Sequence, residues 1–162
     1  MADALMYPEV INNFNVYDDG DKMQGTSGEI TLPTLSAITT EISGGGVLGA
    51  YNTSIPGAFQ STQMDIPFRM VGEEYFAMSI ANRQMNLTLR SSIQNVNRET
   101  GGTISSQGMR VVVRGRPTAH NFGTLSQGNL MNASVTLELT YIMIEIGGKN
   151  LFELDKLNSV FK

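Results

Sequence analysis

The chain contains no cysteine and a single histidine, His120. The first absence removes disulfide frameworks, thiol nucleophiles and thiolate metal sites; the second removes most zinc constellations built on imidazole. Charge is scarce as well, at 16% Asp, Glu, Lys and Arg against an average of about a quarter. Eleven basic residues face 15 acidic ones, for a net charge of −4, so there is no basic excess of the kind duplex-binding proteins carry. No apolar run approaches the roughly 20 residues of a membrane helix. The opening MADALMYPEV has no basic stretch leading into an apolar segment. The expectation is a chain made in the cytosol, neither exported by a cleaved signal nor stably inserted in a membrane.

What replaces the charge is Ser, Thr, Asn and Gln, together with 17 glycines. Uncharged polar residues suit exposed strand faces, and equally suit faces that meet other copies of a chain, since interface cores are depleted of charge. The length of 162 residues fits one domain, and no Pro-rich or charged linker divides it. No repeat of 20–50 residues is visible.

Most of the chain alternates with period 2, which places one face of a strand inward and the other outward. Met85, Leu87, Leu89 and Ile93 alternate with Asn86, Thr88, Arg90 and Ser92. Met64, Ile66 and Phe68 oppose Gln63, Asp65 and Arg69, and Val135, Leu137, Leu139 and Tyr141 oppose Ser134, Thr136, Glu138 and Thr140. Met109, Val111 and Val113 oppose Arg110 and Arg114 in the same way. From Tyr141 to Ile146 both faces become largely apolar, as in a strand covered on both sides. Shorter candidates are FNVY at 14–17, GEITL at 28–32 and LSAITTEIS at 35–43.

One segment departs from that period. In EEYFAMSIA after Gly72, Val71, Tyr75 and Met78 recur at helical spacing and Glu73 and Glu74 occupy the first turn, so a short amphipathic helix is predicted. The tail NLFELDKLNSVF fits a helix through Leu151, Leu154 and Leu157 and a strand through Phe152 and Leu154; periodicity leaves both open. Two connections, 43–58 and 115–130, read as long loops. They hold Val47, Leu48, Tyr51 and Ile55 in the first and Phe122 and Leu125 in the second, so both are expected to become ordered against a partner.

No catalytic constellation emerges. His120 lies in the second of these loops without a G-x-S-x-G elbow elsewhere, and reads as a surface histidine. Asp18, Asp19, Gly20 and Asp21 fail the spacing of an EF-hand and read as an acidic turn. Gly44–Gly46 lack the Lys-Ser or Lys-Thr of a phosphate-binding loop. Catalytic residues, metal ligands and cofactors are therefore expected to be absent. The residues describe a mostly β protein with one short helix that works through its surface.

The order of several motifs resembles a known family. NNFNV at 12–16, ITLPTL at 30–35, a strand, a Gly-rich loop, a second strand and a short helix are followed by MRVVVRGRP at 109–117, SVTLELTY at 134–141 and GGKNLFELDKLN at 147–158. This order resembles the major tail tube proteins of contractile-tailed phages, over nearly the whole chain. The resemblance implies the tail-tube fold, an antiparallel β-sandwich or barrel-like subunit with one short flanking α-helix, six subunits to a ring, and rings stacked into the inner tube of a virion tail that conducts DNA into the host. It implies two hairpins per subunit that line the bore, here 35–43 with 59–69 and 108–117 with 129–141.

On that model the lumen candidates are Thr39, Glu41, Gln63, Asp65, Ser134, Thr136 and Glu138, with Arg110 and Arg114 as compensating cations. Val47, Leu48, Tyr51 and Ile55 become candidates for contacts between rings and between subunits. The implied partners are further copies of the chain, a tail sheath protein, baseplate or initiator, tape-measure and terminator proteins, and transient, non-specific DNA, with assembly in the host cytoplasm. Sheath contact is expected near the helix and the turn from Asp18 to Lys22. The same pattern is shared by tubes of R-type bacteriocins and, more distantly, of type VI secretion. Outside this class, a soluble ligand-binding β-barrel and a hydrolase using His120 are the alternatives.

Overall fold

In the computed structural model, residues 6–18, 21–22, 28–78, 83–98 and 101–162 are described. Ten strands and one helix follow one another: β1 (Met6–Asp18), β2 (Asp21–Lys22), β3 (Ala37–Ile42), β4 (Tyr51–Phe59), β5 (Gln63–Phe68), α1 (Glu73–Met78), β6 (Met85–Asn97), β7 (Thr103–Asn121), β8 (Ala133–Ile146), β9 (Lys149–Asp155) and β10 (Val160–Phe161). Eight strands form one antiparallel sheet in the order β10-β9-β8-β7-β6-β1-β2, while β3 and β4 form a separate two-stranded hairpin. The remaining strand, β5, joins the large sheet through β8: β5 pairs with residues 133–138 of β8, and β9 pairs with residues 141–146 further along it.

The strands are long because the alternation is long. Strand β7 runs 19 residues, pairing β6 from Thr103 to Gly115 and β8 from Met109 to Asn121. Strands of this length curl, since each step adds right-handed twist and bulges add more. One register shift falls where Arg114 opposes Tyr141 and Gly115 opposes Leu139, leaving Thr140 as an extra residue of β8. The alternation inverts there, so that Leu137, Leu139 and Ile142 all point inward. Glycine is needed at this step: a Cβ on Gly115 would press into the carbonyl of Glu138.

The concave face holds the core. Met64, Ile66 and Phe68 from β5, Met85, Leu87 and Leu89 from β6, Val111 and Val113 from β7, Val135, Leu137 and Leu139 from β8, and Val16 from β1 are all buried. These are the inward positions predicted by alternation, with three exceptions: Ile93 and Met109 are only half-buried, and Tyr141, expected inward with Leu139, turns to the opposite face because the extra residue Thr140 inverts the alternation. Helix α1 closes one end through Tyr75. Its ring meets Phe68, Phe76 and Phe122 at centroid distances of 5.4, 5.6 and 5.7 Å, and its hydroxyl reaches the Asn121 and Ser134 carbonyls at 2.9 and 3.3 Å. Burial raises the pKa of that hydroxyl, which keeps it a donor.

Several expectations are corrected. Residues 43–58 are not one loop: the connection spans 43–50, and Tyr51 begins β4, whose Pro56 and Gly57 break any two-residue period. The second connection shrinks to 122–132, since β7 continues past Gly115 and Pro117 by pairing with β8, and His120 therefore lies on a strand opposite Val135. The hairpin of 35–43 with 59–69 does not form. Strand β3 pairs with β4, and β5 pairs with β8. The hairpin of 108–117 with 129–141 does form, as β7 with β8. GEITL at 28–32 is not a strand, although Ile30 packs on the core.

The open choice for the tail resolves as strand, β9 followed by β10. Asp155 organises the turn between them, accepting from the backbone of Leu157 and from Asn158, whose side chain holds the carboxyl below its ordinary pKa. The stretch 141–146 is flanked in the sheet by β7 and β9; Ile142 enters the core, while Tyr141 and Met143 stay half-buried on the convex face. Of the acidic turn, Asp18 pairs with Arg83 at 3.2 Å, and Asp19 and Gly20 lie outside the described residues.

Candidate functional site

Two surfaces collect the sequence candidates. The first is the convex face of β5, β8 and β7. Cross-strand register sets Gln63 opposite Glu138 and Asp65 opposite Thr136, while Ser134 stands two residues along. Two separate contacts tie down the carboxylates of this face: Thr136 Oγ1 donates to Asp65 Oδ1 at 2.6 Å, and Ser61 Oγ reaches both Glu138 carboxylate oxygens at 2.8 and 2.9 Å. Thr118 Oγ1 donates to the Thr136 carbonyl at 3.3 Å. The two carboxylates are thus held by neutral hydroxyls. Arg116, the cross-strand neighbour of Glu138, forms no ion pair with it among the described residues.

Arg110 and Arg114 share this convex face but lie beyond the Thr140 bulge, in rows of their own. Arg110 opposes Glu145 and pairs with it at 2.6 Å; on its other side it directly opposes Arg90. Arg114 stacks its guanidinium 4.5 Å from the centre of the Tyr141 ring. Burial, then the nearby Glu153 carboxylate, raises the Tyr141 pKa, and Arg114 partly opposes that shift. Both arginines therefore engage groups of their own rows, apart from the Asp65 and Glu138 patch, although Arg110 Nε is buried without a hydrogen-bond partner among the described residues.

The second surface is the β3–β4 hairpin, which stands away from the body as an arm. Its base is tied down: Gln60 N donates to the Ser36 carbonyl at 2.8 Å, Lys156 Nζ donates to the Gln60 carbonyl at 2.9 Å, and Phe59 meets Phe161 at 5.5 Å. Register divides the arm into two unlike faces. Thr39 opposes Ser54 and Glu41 opposes Asn52 on the polar face; Thr40 opposes Thr53 and Ile42 opposes Tyr51 on the other, which Ile38 and Ile55 extend. Ile38, Tyr51 and Ile55 are exposed, and at the tip so are Val47 and Leu48. Gly44 and Gly46, at φ +128° and +85°, make the reversal there.

The structure therefore separates the sequence candidates into a polar strip (Gln63, Asp65, Ser134, Thr136, Glu138) and an arm that carries Thr39 and Glu41 on one face and Tyr51 and Ile55 on the opposite face. Ser61, Thr118, Ile38 and Ile42 were missed. The isoleucines alternate with Thr39 and Glu41, which implies an apolar face packed on the subunit core; in the fold only its base, at Ile38, borders the body beside Phe59, Leu154 and Phe161, and Tyr51 and Ile55 stay exposed. Their signal was present, but the hydroxyls of Ser61 and Thr118 leave none, because only the register brings them to their acceptors.

A curled β body with a polar face and an uncovered arm defines a structural protein that works by contact. A family model for phage tail tube protein FII matches residues 8–162. The chain is 29% identical over 160 residues to the major tail tube protein of Serratia phage KSP20, covering 98% of this chain and 89% of that protein. It is 24% identical over 163 residues to the tail tube protein of Escherichia phage P2, covering 98% and 91%. Its fold is similar, at a TM-score of 0.57 and 16% identity, to a chain of the sheath/tube terminator of an extracellular contractile injection system, over 86% of this chain and 97% of that one. The chain belongs to the phage tail tube protein FII family: it is a structural tail tube protein, not an enzyme, and a component of the virion tail.

Proposed function

We propose that six copies of this chain close into a ring and that rings stack into the inner tube of a contractile tail, through which DNA passes into the host cell. The observation that carries this reading is the amphipathic arm. An apolar face left open on a two-stranded hairpin, together with unpaired hairpin edges, is an aggregation template unless a neighbour covers it. In the ring, the arm lies beside the β7–β8 hairpin of the next copy. Thr39, Glu41, Gln63, Asp65, Ser134, Thr136 and Glu138 then face the bore, while Tyr51 and Ile55 meet protein. Val47 and Leu48 reach adjoining subunits or rings.

A bore of hydroxyls, amides and carboxylates gives passing phosphates little to hold, since tight backbone binding needs a lattice of Lys and Arg. Arg110 and Arg114 soften the acidic balance of that face without reversing it. Assembly takes place in the host cytoplasm, on a baseplate or initiator, with tape-measure and terminator proteins fixing length and a sheath covering the outside near α1. The tube of an R-type bacteriocin uses the same geometry without a genome. A ligand-binding barrel is disfavoured, because the concave face is filled by Met64, Ile66, Leu137 and their neighbours.

Negative-stain electron microscopy of the purified protein, with and without initiator proteins, and light scattering on a sizing column test the proposal. Sixfold rings or hollow tubes are the expected result. A uniform monomer that stays monomeric with baseplate and sheath proteins present overturns it.

A further inference from the structure

Resting on the tube reading, the structure assigns a receptor for the tip of the arm: we propose that Leu48 of one copy inserts into an apolar groove on the body of a second copy, lined by Ile11, Phe14, Ile30, Leu32, Met109 and Val111. The groove opens where β1, β6 and β7 leave the core and the 28–36 segment crosses them. It measures about 130 Å³, and Ser91 is the single polar residue among those lining it. Cavities of about 150 Å³ with Leu, Ile and Phe walls stay dry and accept one benzene-sized guest, so this one matches a single branched aliphatic side chain.

Leu48 is the side chain built to fill it. It is fully exposed, so it does not occupy the groove of its own chain. A Cβ placed at Gly44, Gly45, Gly46 or Gly49 would meet nothing within 4 Å, so the knob stands clear of bulky flanks. The six residues of β3 span about 20 Å at the usual strand rise, more than the radius of gyration of about 15 Å expected for a body of this size. The arm therefore delivers its tip beyond its own subunit. Charge agrees on both sides: no Asp, Glu, Lys or Arg occurs between Glu41 and Asp65, and none lines the groove, so closing the contact desolvates no ion. The rival knob Leu125 is exposed as well, but its loop is tied to the body, where Thr124 N donates to the Met131 carbonyl and Met131 N to the Arg69 carbonyl, so it does not reach out as the arm does.

The natural absence of cysteine makes the test clean. A Leu48→Cys, Leu32→Cys double variant is assembled into tubes, oxidised, and run on a non-reducing gel. A covalent ladder extending beyond dimer, absent from either single variant, is the expected result, since a disulfide needs Cα atoms within about 7 Å. Tubes without a ladder, a bond closed within one chain, or a dimer from Leu48→Cys alone each overturn the contact. If the double variant does not polymerise, Leu48→Cys alone is labelled with a maleimide: protection in tubes of at least tenfold over free subunits supports the contact, and equal labelling overturns it. Absence of wild-type tubes on initiator overturns the tube reading, and this contact with it.

Discussion

The body and the arm use the same two-residue alternation to opposite ends. In β5 and β8, Met64, Ile66, Leu137 and Leu139 turn inward against one another and are buried, while Asp65 and Thr136 bond outward across the register. In β3 and β4, Ile38, Tyr51 and Ile55 also share a face, yet they remain open. The pattern dictates that two faces differ; which of them is covered depends on what the rest of the chain brings alongside. The body finds its cover in its own curled sheet, and the arm finds little among the described residues, which is why the proposed function gives it a neighbouring copy.

Substitutions separate these two regions, and the largest effects belong to the body. Leu137→Ala, on a fully buried position of β8, is expected to destabilise the subunit by about 3 kcal/mol, read as a lowered urea midpoint with loss of any assembly. Gly115→Ala forces a methyl group against the Glu138 carbonyl at the bulge and is expected to remove about 2 kcal/mol, with the same readout. Tyr75→Phe keeps the aromatic contacts but leaves the Asn121 and Ser134 carbonyls without their hydroxyl donor. It is expected to lose about 1 kcal/mol, and local amide exchange around 121 and 134 should rise. Ile42→Ser on the arm should change the unfolding free energy from urea titration by less than about 0.5 kcal/mol while abolishing tubes by electron microscopy. An arm substitution that melts the body, or a tube that tolerates Ile42→Ser, breaks the division between the regions.

Legibility in the sequence followed the same division. Where strands are buried on one face, the apolar positions of 64–68, 85–89, 109–113 and 135–139 identify both the element and its inward side. Tyr75 and its neighbours identify the helix. Strand β4 escaped, because YNTSIPGAF spaces its apolar residues by four around a Pro-Gly step and its pairing with β3 is visible only in register. The extension of β7 to Asn121 escaped because Gly115 and Pro117 punctuate it, and only pairing with β8 carries the strand through. The tail was ambiguous since the turn at Lys156–Ser159, with Ser159 at φ +57°, brings Leu154 and Leu157 into helical spacing although they belong to a strand and a turn. Of the two surfaces, alternation made the polar strip of 63–65 and 134–138 legible, and on the arm it marked Tyr51 and Ile55 for a partner but not Ile38 and Ile42.

The uncharged run from Ile42 to Met64 has a consequence for where the assembled particle can work. Ion pairs at a surface weaken as salt rises, because counterions screen charges over a Debye length of about 10 Å at 0.1 M. Contacts made through an arm without charges have no such term to lose. Apolar burial holds and even strengthens in concentrated salts of the sulfate type. In the tube proposed above, subunits joined through such an arm keep their grip whether the surrounding medium is dilute or briny, so the ionic strength outside does not decide whether the tube holds.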